Sequence, residues 1–252
     1  MISPWLPIGT RISMLARLLT LQASYNYETM IGNGIAFALE PALRRLPGGR
    51  GGDAYREAMA RQSRYFNAHP YFAAVAVGAL ARAELSLESP ERIERFRTAA
   101  CGPLGSVGDR LVWAAWLPLC SLIALAAFGF GASAAVVVSL FLIVYNAGHF
   151  ALRIWALNTG WRDGLGVAAA LSAPAFRLGP ARLTCAAAFV AGVAIPLTIA
   201  TAAGVRPSGV LVIGLTGALG ARVLVLLHGR IAGWRTAMWL LAASAIAAMV
   251  IR

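Results

Sequence analysis

Lysine is absent from this chain: all 22 basic residues are arginine. A phosphate-binding loop of the GxxxxGKS/T kind, which needs that lysine, is thereby excluded. Acids number only ten, and none follows Asp163. Any site that uses a carboxylate therefore lies in the first 163 residues. The three cysteines, Cys101, Cys120 and Cys185, are far apart and odd in number. Without a CxxC pair or a zinc-like Cys/His spacing, neither a disulfide framework nor a metal site is expected. No GxSxG, HExxH or paired-carboxylate arrangement occurs either, so no catalytic residue and no cofactor are expected. The opening MISPWLPIGTRIS lacks a charged start, a clean apolar run and a cleavage site, and predicts no signal peptide.

Charge of both signs is scarce. Charged residues make up 13% and hydrophobic residues 59% of the chain, with a mean hydropathy of +0.70. An ordinary soluble domain is about 45–50% apolar and about 25% charged. The composition predicts an all-α integral membrane protein in contact with lipid. The net charge of +12 raises the question of nucleic acid. The arginines are scattered at the ends of apolar segments, where positive charge kept on the cytoplasmic side explains them better. No nucleic-acid partner is expected.

The chain divides into two parts: a cytoplasmic or interfacial helical part over residues 1–110, and a transmembrane part over 111–252. In the first, residues 10–31 place Ile12, Leu15, Leu18, Leu19 and Gln22 at helical spacing. This amphipathic segment is expected to lie on the membrane interface. A helix from about Gly32 to Arg45 contains Pro41, Pro47–Gly52 form a loop, and residues 53–66 form a charged amphipathic helix. The apolar run Tyr71–Ala81 is 11 residues long, too short to cross about 30 Å of hydrocarbon. A re-entrant or interfacial placement keeps the surrounding arginines on one side. Ser89-Pro90 reads as a helix start. From Leu111 the pattern changes to about five membrane helices: Leu111–Phe130, Ala132–Leu152, Leu183–Ala203, Val210–Leu227 and Trp234–Ile251. The charges between them predict a cytoplasmic N-terminus and an external C-terminus. Arg222 falls inside the fourth span, facing protein or water or snorkelling to the interface.

Three polar clusters stand among apolar neighbours. In the first, Gln22, Asn26 and Glu28 offer hydrogen-bonding groups, with Tyr25 and Tyr27 as stacking faces. Sugar hydroxyls and ring faces need such a mixture, although a tyrosine belt at the interface would look the same. In the second, Asn67 either contacts a ligand or caps a helix beginning at Pro70, and His69 is a possible proton carrier or a structural histidine. The third, Cys101–Trp116, holds Gly102, Pro103, Gly105 and Gly108 beside Asp109. It reads as a backbone break at the mouth of a span. Asp109 there faces a polar site, pairs with Arg110, or caps the span beginning at Leu111. Asn146 and His149, three apart, are expected to share a polar contact on one helical face.

The segments LQASYNYETM (21–30), PALRRL (41–46), FNAHP (66–70) and GPLGSVGD (102–109), in that order, closely resemble the IID subunit of the mannose/fructose/sorbose family of the bacterial phosphotransferase system. The likeness covers about residues 15–165 and fades after about 166. Arg110, Leu117-Pro118 and Gly148-His149 depart from the family pattern. The resemblance implies a multi-pass subunit of the bacterial cytoplasmic (inner) membrane. It implies pairing with a IIC membrane subunit, with complexes similar to trimers of IIC–IID pairs. Soluble IIA and IIB proteins would relay phosphate, and a mannose-type hexose would be phosphorylated as it enters. The chain itself would not be phosphorylated. Gln22, Asn26, Glu28, Asn67, His69 and Asp109 are the expected sugar ligands. The alternative is a divergent structural or regulatory membrane subunit that does not transport.

Overall fold

The computed structural model describes residues 6–204 together with Gly209, Gly214, Trp239 and Ala242. The described elements are α1 (Ile8–Leu18), α2 (Gly32–Leu43), α3 (Asp53–Gln62), α4 (Ala73–Leu85), α5 (Pro90–Gly108), α6 (Leu117–Gly129), α7 (Ala134–Asp163), α8 (Ala168–Leu171) and α9 (Pro174–Ala203). An eight-residue π-helical stretch, Asp109–Trp116, joins α5 to α6. Among the described residues, three helical runs are long and apolar enough to cross a membrane: Pro90–Gly129, Ala134–Gly166 and Ala168–Ala203. The expected spans Leu111–Phe130 and Ala132–Leu152 fall within the first two except for one or two residues at an end, and Leu183–Ala203 falls within the third. Arg222 and nearly all of the fourth and fifth expected spans lie outside the described residues.

Two compact units divide the chain. The first comprises Met1–Ala114 and Asn146–Pro180, and the second Ala115–Tyr145 and Ala181–Arg252. The first unit is built around α4. All but two of its residues, Arg82 and the half-buried Leu85, are buried. Its apolarity serves a protein core, because an apolar helix wrapped by other helices has no solvent face to keep polar. Two glycines let α4 and α7 touch backbone to backbone. A Cβ at Gly78 would lie 2.3 Å from the Leu157 carbonyl oxygen, and one at Gly160 would lie 2.0 Å from that of Val75. Small residues at such a crossing are what permit helices to approach this closely.

Buried charge fastens the other helices to this core. Glu84 on α4 accepts from Arg61 Nε (3.0 Å) and Nη2 (2.8 Å) and from Gln62 Nε2 (2.6 Å). Gln62 Oε1 in turn accepts from Arg97 Nη1 at 2.5 Å. Arg97, 2% exposed, also donates to the Arg64 and Tyr65 carbonyls. One chain of hydrogen bonds thus links α3, α4 and α5. Glu40 on α2 makes a second centre with Arg17, Arg44 and Arg50. Burial alone would raise its pKa, but hydrogen bonds from Arg44 and Arg50 and the charge of Arg17 bring it down to about 2.

Ser89 caps α5, accepting from the Arg92 backbone N–H, with Pro90 in the first turn, as expected from Ser89-Pro90. Three local expectations are corrected. The break at Gly102–Asp109 does not form: α5 runs unbroken through Gly102, Pro103, Gly105 and Gly108. Glycine weakens a helix by only about 1 kcal/mol, which packing overrides. The irregularity comes later, as the π stretch. Pro118, just inside α6, cannot donate to the carbonyl four residues back and its ring crowds it; the wider π turns precede it. Asp109 therefore caps no helix start. Asn67 caps none either, because α4 begins at Ala73 and no side chain caps it.

Candidate ligand cavity

A cavity of about 520 Å³ opens in the first unit, lined by Tyr65, Asn67, Ala68, His69, Pro70, Cys101, Gly102, Gly105, Ser106 and Asp109. Its size is within the roughly 300–1,000 Å³ typical of ligand sites. One wall is the extended segment before α4 and the other is a face of α5. Two of the three polar clusters therefore meet here, although about 35 residues separate them in sequence. Gly102 and Gly105 leave the α5 wall without side chains; a Cβ at either would meet nothing within 4 Å. Gly108 has the opposite role. A Cβ there would lie 2.2 Å from His69 Cβ, so the glycine lets His69 seat against α5.

Asn67 and Asp109 are exposed at the cavity. Arg110 does not pair with Asp109 but turns back, its Nε donating to the Ser106 carbonyl at 3.2 Å. The carboxylate and the Asn67 amide remain available to a ligand. Together with Ser106 and Tyr65, they give the cavity donors, acceptors and one aromatic face.

His69 is only 2% exposed. Burial, reinforced by the Arg153 charge, brings its pKa down to about 4, so the ring is neutral at pH 7. Nδ1 accepts from the Tyr71 backbone N–H at 3.2 Å, which places the proton on Nε2. That buried Nε2 has no hydrogen-bond partner among the described residues. Leaving such a donor unsatisfied costs about 1–3 kcal/mol. Around the ring stand Tyr71 at 5.0 Å, Trp113 at 4.9 Å and Phe72 at 6.2 Å between centroids. Tyr71 stacks on His149 at 4.1 Å and 8°. His149 Nε2 accepts from Arg153 Nε at 2.6 Å, so its proton sits on Nδ1, facing Asn146 Oδ1 at 3.4 Å. The expected Asn146–His149 contact is present. What sequence reasoning missed is that Tyr71, Trp113 and Arg153 build one aromatic and cationic layer behind the cavity. Only the density of aromatics and histidines flanking these segments hinted at it.

Gln22, Asn26 and Glu28 are not part of this cavity. Asn26 is committed to its own loop. Its Oδ1 accepts from the backbone N–H groups of Glu28 (3.0 Å) and Thr29 (2.8 Å), and its Nδ2 donates to Thr29 Oγ1 at 2.8 Å. This is the usual work of an asparagine in a turn, and it supports Met30 at φ +53°. Gln22 and Glu28 are exposed on the same loop.

Comparison with known proteins gives this arrangement a family. A sequence model of the phosphotransferase-system mannose/fructose/sorbose family IID component matches residues 7–209. The chain belongs to that family. The match reaches beyond residues 15–165, so the likeness does not end near 166. A sorbose-specific EIID component of Klebsiella pneumoniae is 29% identical over 169 residues, covering 63% of this chain and 58% of that protein. A mannose-specific EIID component of Escherichia coli is 30% identical over 154 residues, covering 58% and 52%. The fructose permease IID component of Bacillus subtilis is 27% identical, covering 61% and 56%. The aligned part of this IID chain spans between half and three-fifths of these relatives' length. Among solved structures, the mannose transporter ManYZ in complex with a microcin is similar at a TM-score of 0.59 and 24% identity, over 75% of this chain and 69% of that one. A second membrane protein matches at a TM-score of 0.65 and 24% identity, over 74% and 69%. These structures share the fold. With the three apolar helical runs, the family identifies a membrane protein.

Proposed function

We propose that this IID chain forms, with a IIC subunit, the hexose pathway of a phosphoenolpyruvate-dependent phosphotransferase system. The chain crosses the bacterial cytoplasmic membrane about five times with its N-terminus inside, and three IIC–IID pairs assemble as a trimer. Soluble IIA and IIB proteins carry the phosphoryl group that the sugar receives on entry. The relatives named for sorbose, mannose and fructose support a sugar as cargo. The observation that carries the reading is the cavity whose glycine wall leaves Asn67 and Asp109 exposed, neither side chain with a hydrogen-bond partner among the described residues. A sugar hydroxyl donates to the Asp109 carboxylate and accepts from the Asn67 amide, and a pyranose face rests on Tyr65. Gln22 and Glu28 contribute from a separate surface, completed by the partner chain.

The test is uptake of labelled mannose, fructose and sorbose by cells expressing the chain with its IIC partner and the soluble proteins. Asp109→Asn combined with Asn67→Ala should lower uptake about tenfold or more, the loss of two hydrogen bonds, one of them charged. Wild-type uptake by the double variant would remove the cavity from the pathway. No uptake by the unaltered complex would favour a structural or regulatory subunit.

A further inference from the structure

The amphipathic helix α1 has two apolar faces. One is spent inside the protein, where Met14 and Leu18 are fully buried. The other points outward and continues onto Leu19, the residue that follows the helix: Ile8 is 67% exposed, Ile12 59% and Leu19 49%. At 100° per residue these three lie within about 40° of arc, a continuous stripe along the helix. Neither arginine of α1 covers that stripe, because both are engaged elsewhere. Arg17 donates to Glu40 and the Phe37 carbonyl, and Arg11 reaches Asn158.

The contacts of α1 with α7 fix its level. Arg11 bonds Asn158 at 3.5 Å, and Arg153 bonds the Leu18 carbonyl. Both tie points fall within five residues of α7, about 7.5 Å of helix rise. Residues 134–152 of α7 contain no acid and no arginine, and Arg153 is the first charge. Those residues rise about 28 Å, the thickness of the hydrocarbon layer. With that run in hydrocarbon, Arg153–Asn158 stands at its edge, and α1 stands there too.

We propose that α1 is an interfacial helix whose Ile8, Ile12 and Leu19 stripe is seated in the acyl–headgroup boundary of the bilayer. The occupant is lipid because the stripe sits where the apolar run of α7 ends, level with the exposed Ile154. An apolar face of this kind binds membranes through the area it buries there. The inference depends on α7 crossing the bilayer and is independent of which sugar, if any, the cavity holds.

Nitroxide labels at Ile12→Cys and Leu19→Cys test it, in the full chain with Cys101→Ala and Cys185→Ser and with Cys120 left buried. The chain is returned to phosphatidylethanolamine/phosphatidylglycerol vesicles, once alone and once with its membrane partner. Both labels should relax faster with oxygen than with a water-soluble nickel chelate, and an Arg56→Cys control on α3 should show the reverse order. Nickel exceeding oxygen at Ile12 would mean that the stripe faces water. Low values for both reagents, appearing only with the partner present, would mean that protein covers it. Either result overturns the proposal.

Discussion

The two compact units hold together by different means. All ten acids of the chain fall in the first unit, nine before Ala115 and the last at Asp163. The second contains none, so no ion pair between side chains can form within it. The first unit spends its carboxylates on buried centres: Glu40 gathers Arg17, Arg44 and Arg50, and Glu84 gathers Arg61 and Gln62. The second, in its described part, relies on close packing and on hydroxyls returned to carbonyls. Thr198 Oγ1 donates to the Leu125 carbonyl at 3.1 Å and Thr201 Oγ1 to that of Gly129 at 2.9 Å. A Cβ at Gly129 would lie 2.6 Å from Leu197 Cβ. Buried ions specify one arrangement, because few alternatives satisfy them. Apolar packing in lipid gains little from hydrophobic transfer and depends on fit. The unit that specifies its arrangement by charge is also the one that holds the cavity.

The sharpest break in this contrast is Glu84→Ala. It strands Arg61 and Gln62 in a buried site, which should cost about 3–5 kcal/mol. Hydrogen exchange in detergent should quicken across α3 and α4 while α9 is unchanged. An equal change in α9 would show that the units do not differ in this way. Glycine replacements come next. Gly160→Ala forces a Cβ against the Val75 carbonyl, and Gly129→Ala forces one against Leu197; overpacking of this kind costs about 1–3 kcal/mol. The first should cost more, because a backbone oxygen cannot swing aside as a leucine can. Thermal unfolding of the two variants compares them directly.

Acid should act on the first unit. The His69 pKa is lowered from 6.5 to about 4 by burial and then by Arg153, so the unfolded chain takes up this proton first. The stability it confers is complete above pH 6.5 and is lost as pH falls toward 4. Glu40, lowered from 4.5 to about 2, adds a further loss between those values. His69→Gln should make the profile shallower between pH 6.5 and 4 and leave the lower limb intact, as read by unfolding midpoints. The smallest effect is expected from Thr198→Val in the second unit, about 0.6 kcal/mol, the mean measured for hydrogen bonds between membrane helices.

Much of this was readable from local pattern. The helix start at Ser89-Pro90, the apolar runs and the pairing of Asn146 with His149 follow from caps, length and helical spacing, which neighbouring residues alone determine. Asn67, His69 and Asp109 were also singled out from sequence. Their meeting in one cavity was not derivable, because it depends on how α5 packs beside the segment preceding α4. Gln22, Asn26 and Glu28 had equally suggestive chemistry, yet the fold sets them on a loop that Asn26 itself staples. Gly102–Asp109 misled as a break, since glycine permits a turn without requiring one, and here it serves a smooth wall and the close approach of His69.

Sequence by itself determined that the chain is helical, that it belongs in a membrane, and that every carboxylate lies before residue 164. Hydropathy and charge are sums over nearby residues and need no partner to be read. The tertiary structure alone decided which arginine meets which acid, which glycine admits a neighbouring helix and which polar side chains stay unpaired. Each of these is a matter of a few ångströms between residues far apart in the chain, and only packing fixes such distances.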